Sequence, residues 1–426
     1  MSVFTRSRKT TVLGGLALVG ASALVLAGCA GGGTGGTEEP TENAGPAEEL
    51  TLKLGTALPQ TGNLAFLGPP EEAGVAYAAA QINEVSADTG LTVEVVYGDS
   101  GDTDNKAYEA EIPRLLGEGV SAIIGAASSG TSLQFIDQVT GAGVIQFSPA
   151  NTSDAFTTYD DNGLYFRTAP SDVLQGEVLG NLIAEDGHQT LGMIVLNDSY
   201  GTGLAKYVTE AFEAAGGEVV AQPTYNTGDT SFDAQISEVL AADPDAIALI
   251  TFEEVKTILP SLFGQYPAED LYFVDGNLAN FGDEFPPGSL TGAKGTFPGL
   301  SLDAITDFTD DLEAFVESEG QEPLTEFTYA AESYDATVLL ALAALAAGST
   351  DSAAMAEKLI EVSGGSGDGE TCTTYAECAE IIVGGGTADY DGISGPITFD
   401  EVGDPTEASI GIYQFKEDNT YVPYEG

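Results

Sequence analysis

Cations are scarce in this chain. Its 426 residues hold 12 Lys+Arg against 67 Asp+Glu, a formal charge of −55 at pH 7. Nucleic acid is excluded as a partner, because phosphate contacts need clustered cations. Histidine is scarcer still, with His188 alone. One imidazole remote from the cysteines cannot complete a metal site with two thiols, so no metal is expected. The same scarcity argues against hydrolysis. Ala126-Ala127-Ser128-Ser129-Gly130 copies a nucleophile elbow poorly, and His188 sits in a turn between a helix and a strand. No enzyme is expected. A cofactor loop is lacking too: Tyr200-Gly201-Thr202-Gly203 supplies G-x-G, but Lys206 stands where a third glycine belongs. No cofactor is expected. Beyond the N-terminus no apolar run is long enough to span a bilayer. Leu339 to Ala347 is short, follows Glu332 and Asp335, and reads as a buried helix.

What is present is a normal apolar share, 43% of residues, so the acids must clothe an ordinary core. A high-salt habitat or a generally acidic proteome would each account for such a surface. The first residues carry Arg6, Arg8 and Lys9, then an apolar stretch from Val12 to Ala27, then Leu26-Ala27-Gly28-Cys29. This is a signal peptide over residues 1–28 ending in a lipobox-like motif, with Cys29 as the lipid-bearing residue. A polar tether follows over residues 29–49; it would hold the fold about 25 Å from its anchor. The remaining cysteines, Cys372 and Cys378, lie in TCTTYAEC and are expected to form a disulfide outside the cytoplasm.

From Leu50 onward, short apolar strands alternate with amphipathic helices, the pattern of a parallel sheet. Strands are expected at Leu50–Gly55, Leu91–Tyr97, Val120–Ile124 and Val144–Phe147. A second β/α series runs from Val173 to Val274, including a helix from Gly203; the chain is then expected to turn back through Gly295–Leu300, and one long helical run is expected over Leu324–Ala347. Ligands bind such sheets beyond the carboxyl ends of the strands. The stretch Val120–Ser153 places two hydroxyl-rich loops there, Ser128-Ser129-Gly130 and Ser148 to Ser153. The first also opens a helix, whose free N–H groups attract a carboxylate. Either loop alone reads better as a cap or turn; the pair in this order reads as one wall of a small-molecule pocket. Asp275, ending a strand of the second series, is a candidate for an ammonium group or a turn aspartate before Gly276. Phe66, Tyr200 and Phe252 are candidate aromatic walls.

Several segments together resemble the type I periplasmic binding proteins of branched-chain amino-acid ABC importers. They are Leu58-Pro59-Gln60-Thr61-Gly62, Ile123-Ile124-Gly125 with Ser128-Ser129-Gly130, Phe147 to Thr152, Phe166 to Gly176, Asn197 to Gly203, Thr328 to Ala336 and Gly395 to Asp400. The resemblance implies an α/β fold of two doubly wound lobes around a cleft, joined by three hinge crossings. Lobe 1 would comprise residues 50–167 and 298–406, and lobe 2 residues 168–297 and 407–426. It implies a ligand-binding role for Phe66, Ser128, Ser129, Gly130, Asn151, Thr152, Tyr200, Phe252 and Asp275. Ser129, Thr152 and N–H groups near Gly130 and Asn151 would hold a carboxylate, and Asp275 an amine. The implied function is an extracytoplasmic, lipid-anchored, monomeric binding protein that passes a branched-chain or other apolar amino acid to an ABC permease and its ATPase. A ligand sensor, or a binder of an amide, aromatic acid or other small carboxylate, is the alternative.

Overall fold

A computed structural model describes residues 49–424. The expected signal peptide, Cys29 and the tether up to residue 48 lie outside the described residues.

Two sheets organise the described chain. The first is built from β1 (Leu50–Ala57), α1 (Gly68–Glu84), the short α2 (Ser86–Thr89), β2 (Leu91–Val96) and α3 (Tyr108–Gly117). It continues with β3 (Ala122–Gly125), α4 (Ser129–Gly141), β4 (Ile145–Ser148) and β5 (Tyr165–Arg167). Its order is β2-β1-β3-β4-β5, every pairing parallel. β3 and β4 are buried at every position, as strands covered on both faces must be. Helices α3 and α4 cover one face through Ile112, Leu115, Phe135 and Val139.

The second sheet follows: α5 (Asp172–Glu185), β6 (Thr190–Leu196), α6 (Ser199–Ala214), β7 (Glu218–Ala221), β8 (Thr224–Tyr225) and α7 (Asp233–Ala242). Then come β9 (Ala246–Ile250), α8 (Val255–Leu262), β10 (Leu271–Phe273) and β11 (Lys294–Pro298). The chain returns to the first sheet with α9 (Thr306–Ser318), α10 (Ala330–Ala347) and α11 (Ser352–Val362), which help cover its other face. A small outlying unit holds β12 (Glu370–Cys372), α12 (Tyr375–Val383), β13 (Ala388–Gly392) and β14 (Gly395–Pro396). Finally β15 (Ile410–Phe415) and β16 (Tyr421–Pro423) join the second sheet, whose order is β16-β15-β11-β10-β9-β6-β7, with β8 also on β6. The chain therefore passes between the sheets three times, after β5, after β11 and after β14.

In each sheet the strand order reverses once, between β1 and β3 in the first and between β6 and β9 in the second. Loops at such a reversal diverge and leave a crevice. The two crevices supply facing walls of one cleft.

Three expectations are corrected. The helical run from Leu324 begins only at Ala330, because Tyr329 adopts a left-handed backbone, φ 59°, and breaks it. The helix expected from Gly203 starts four residues earlier at Ser199, where the Asp198 carboxylate accepts from the Gly201 N–H and caps it. The stretch near Gly295 expected to turn back is a paired strand, β11, held between β10 and β15.

The Cys372–Cys378 disulfide is present and closes a loop of sequence separation 6 in the outlying unit. Its loop entropy predicts a loss of about 2 kcal/mol on reduction. Because no residue of this unit borders the cleft described next, thermal unfolding with and without reductant should show the loss while ligand affinity stays constant. A fall in affinity on reduction would contradict this.

Candidate functional site

The cleft is nearly filled as it stands, with free space of only about 10 Å³ between its walls. Its floor in the first sheet is built by a polar lacework. The Ser148 hydroxyl donates to Ala126 O at 2.7 Å and accepts from the Asn151 N–H at 2.9 Å. The Asn151 amide donates to Ala126 O at 3.0 Å and Ala127 O at 2.7 Å, and its own oxygen accepts from the Tyr165 hydroxyl. The loops after β3 and β4 are thus bound edge to edge. Ser128 caps α4, accepting from the Thr131 N–H at 3.3 Å. Ser129 accepts from the Ser153 N–H at 3.3 Å, which leaves its hydroxyl proton free. Ser128, Ser129 and Thr152 line the cleft with Ala127 and Ala150.

Behind this wall lies Arg167, fully buried. Its guanidinium makes a bidentate pair with Asp404, Nε to Oδ1 at 2.6 Å and Nη2 to Oδ2 at 2.8 Å. Nη1 donates to Ser153 O at 2.8 Å and Asn151 O at 3.3 Å, fixing the carbonyls that flank Thr152.

The opposite wall carries Asp275. Its Oδ1 accepts from the Tyr200 hydroxyl at 2.7 Å and from Gln175 Nε2 at 3.0 Å, and its Oδ2 accepts from the Tyr329 hydroxyl at 2.8 Å. Burial raises its pKa above the usual carboxylate range, and these three donors oppose the rise. Tyr200 stacks on Phe252 with centroids 5.2 Å apart and planes 16° apart. Gly276 is required here: a Cβ would stand 2.7 Å from the Phe252 ring and 3.0 Å from Thr251 O.

Leu64 and Leu67 complete the apolar surface. The Leu67 N–H donates to Leu64 O at 2.9 Å, a turn that aims both leucines into the cleft. Phe66 is carried the other way and lines a neighbouring cavity of about 100 Å³ with Val255, Phe281 and Glu326.

Of the residues anticipated from sequence, Ser128, Ser129, Thr152, Tyr200, Phe252 and Asp275 share the cleft wall. Phe66 does not, for the reason just given. Asn151 does not either, since its amide and its N–H are spent within the first wall. Gly130 sits at the contact between the two halves, where a Cβ would stand 2.6 Å from Asp198 Oδ2. Leu64, Leu67, Gln175 and Tyr329 were not anticipated. Gln175 and Tyr329 do fall inside the segments that carried the resemblance, Phe166 to Gly176 and Thr328 to Ala336.

The cleft is shut. Asn63 Nδ2 donates to Glu254 Oε1 at 2.9 Å and Ser153 Oγ donates to Ser199 O at 3.0 Å, each bond joining a loop of the first sheet to one of the second. An oxygen-rich wall with a free hydroxyl proton faces a buried carboxylate, with apolar side chains between. That arrangement is complementary in charge to a small zwitterion, and the residues lining it offer no nucleophile–base pair for chemistry.

Known proteins share this fold and parts of this sequence. The profile of the periplasmic binding protein family matches residues 51–373. A leucine-, isoleucine-, valine-, threonine- and alanine-binding protein of Pseudomonas aeruginosa is 32% identical over 194 residues, 45% of this chain and 51% of that protein. The chain thus spans about half the length of the first curated relatives it matches. A chemotactic signal transduction system substrate-binding protein, BasB, of Halobacterium salinarum is 25% identical over 81% of this chain and 83% of that one. The crystal structure of the leucine-binding protein LivK of Thermotoga maritima superposes with a TM-score of 0.70 at 23% identity, covering 88% of this chain and 97% of that one. Fold, cleft and sequence profile together make this chain a member of the periplasmic binding protein family, with the two-lobed type I architecture.

Proposed function

We propose that the protein captures an aliphatic α-amino acid outside the cytoplasm and delivers it to an ABC importer. The observation that carries this reading is the buried Asp275 carboxylate, held by Tyr200, Gln175 and Tyr329 across a closed cleft from Ser129 and Thr152. Asp275 takes the ammonium group; the hydroxyls of Ser129 and Thr152 donate to the carboxylate. Leu64, Leu67, Ala127, Ala150 and Phe252 present no polar group to the remaining space, which supports an aliphatic side chain.

The lobes of this reading are residues 50–167 with 298–406 and residues 168–297 with 407–426. Ligand docks on the first lobe, and contacts with Asp275 and the clasps Asn63–Glu254 and Ser153–Ser199 favour the closed state. The protein works as a monomer with a permease and its ATPase, tethered through lipid on Cys29. Cys29→Ser should move it from the membrane fraction to the soluble one with ligand affinity unchanged; retention in the membrane would remove the anchor from the account. A signalling role is the second reading, favoured by the likeness to the chemotactic binding protein of Halobacterium salinarum over most of both chains. The test of ligand class is a thermal-shift screen. L-leucine, L-isoleucine and L-valine should raise Tm, while L-glutamate, L-lysine and benzoate leave it unmoved. The opposite pattern would overturn the aliphatic assignment.

A further inference from the structure

Asp172 opens α5 just after the first passage between the sheets. Its N–H donates to Thr152 O at 2.7 Å, so it is clamped directly behind the loop that presents Thr152 to the cleft. Its side chain is fully buried, and neither carboxyl oxygen has a hydrogen-bond partner. A buried carboxylate in that condition is costly, and one side chain of this kind calls for an explanation.

The groups around it give one. Thr152 lies beside it from the loop after β4, Asp275 faces it from the end of β10, and Asp198 and Tyr200 face it from the start of α6. A Cβ placed on Gly203 would be 3.8 Å from Asp172 Oδ2 and 3.6 Å from Asp154 Oδ1, so Asp154 is a near neighbour too. The one cation in this set, Arg167 on β5, is committed to Asp404 in a bidentate pair. The N-terminus of α5 favours an anion but gives neither oxygen a hydrogen bond. Gln175, one turn along α5 from Asp172, donates to Asp275 Oδ1 at 3.0 Å, so the two carboxyls lie around the same helix start, and the nearest cation, Arg167, is already paired. A zwitterionic ligand adds one charge of each sign and leaves that imbalance standing.

The hydroxyl of Thr152 makes the imbalance functional. An ionised Asp172 can only accept, and would draw the Thr152 proton toward itself, turning lone pairs toward the ligand carboxylate. A neutral Asp172 can donate to Thr152, whose own proton is then free for the ligand. We propose that Asp172 and Asp275 share one proton in the closed cleft, that Asp172 is the neutral member, and that it acts as a positioning residue which keeps the Thr152 hydroxyl a donor. This rests on the amino-acid reading above. The electrostatics run the same way: burial first, then Asp275, push the Asp172 carboxyl well above the usual range against the opposing pull of the Thr152 hydroxyl and Arg167, whereas Asp275, also raised by burial, has three donors to hold its charge.

The test is calorimetry with L-leucine between pH 5.5 and 8.5 on the wild type, Asp172→Asn and Asp172→Ala. In the wild type, Kd should rise toward alkaline pH by up to about tenfold per pH unit, as expected for one linked proton. Asp172→Asn keeps the shape and donor capacity of the neutral acid. It should lose the alkaline limb and recover most of the affinity that Asp172→Ala loses. A wild-type Kd constant over this range, an Asn variant that keeps the wild-type limb, or an Asn variant no better than Ala would each overturn the proposal. A wild type that binds no aliphatic amino acid at any pH would strike the amino-acid reading itself, and this proposal with it. Binding without proton linkage would strike this proposal alone.

Discussion

Asp275→Ala is expected to weaken L-leucine binding by two to four decades in Kd, roughly 3–5 kcal/mol. The loss is large because the ligand ammonium would be buried without its counter-charge. The Tyr200 and Tyr329 hydroxyls and the Gln175 amide would also lose their common acceptor. Asp275→Asn keeps an acceptor and should fall between wild type and Ala. Thr152→Ala removes one donor of several and should cost only about 1–3 kcal/mol. Calorimetry on the three variants reads the order directly. An Asp275→Ala protein that binds leucine like wild type would mean that no ammonium sits there.

Arg167→Ala is expected to lower stability by about 3–5 kcal/mol. It leaves the Asp404 carboxylate, which is only 13% exposed, without its partner. The carbonyls of Asn151 and Ser153 lose their donor in the same step. Denaturant unfolding followed by intrinsic tyrosine fluorescence would measure it, and a change below about 1 kcal/mol would place the pair among the inconsequential surface bridges. The effect should reach the ligand too, because the loop that carries Thr152 is fixed by this guanidinium. Asp404→Asn keeps an acceptor for Arg167 and should be milder than Arg167→Ala.

Much of this was legible in the sequence because strand period, helix period and loop composition are local signals. The strands β1 to β4 and the hydroxyl loops after β3 and β4 stand out as apolar runs closed by small polar residues. What stayed hidden depends on backbone geometry and on distant neighbours. Phe66 and Leu67 are adjacent and both apolar; only the turn from Leu64 decides that Leu67 faces the cleft. Tyr329 reads as the middle of a helical run, yet a single left-handed residue breaks that run and carries its hydroxyl to Asp275. Asp172 reads as an ordinary acidic residue in the first turn of a helix, and nothing local reveals that its carboxyl is buried beside a second acid. Helix α9 had a readable stripe, Phe308, Leu312 and Val316 four residues apart, obscured by the acids around it. The arginine clamp was beyond local reading for another reason: Arg167 and Asp404 are 237 residues apart.

The central claim is that one closed cleft holds the two charged ends of an amino acid on opposite walls, Asp275 taking the ammonium and Ser129 with Thr152 the carboxylate. Calorimetry of the wild-type protein with L-leucine, 4-methylpentanoate and 3-methylbutylamine tests it most directly. These share one aliphatic side chain and differ in which charged end is present. The account predicts that leucine binds and that each truncated ligand is weaker by about two decades or more, since each leaves a buried polar group of the cleft unanswered. If 4-methylpentanoate binds as tightly as leucine, Asp275 holds no ammonium and the ligand is a simple carboxylate.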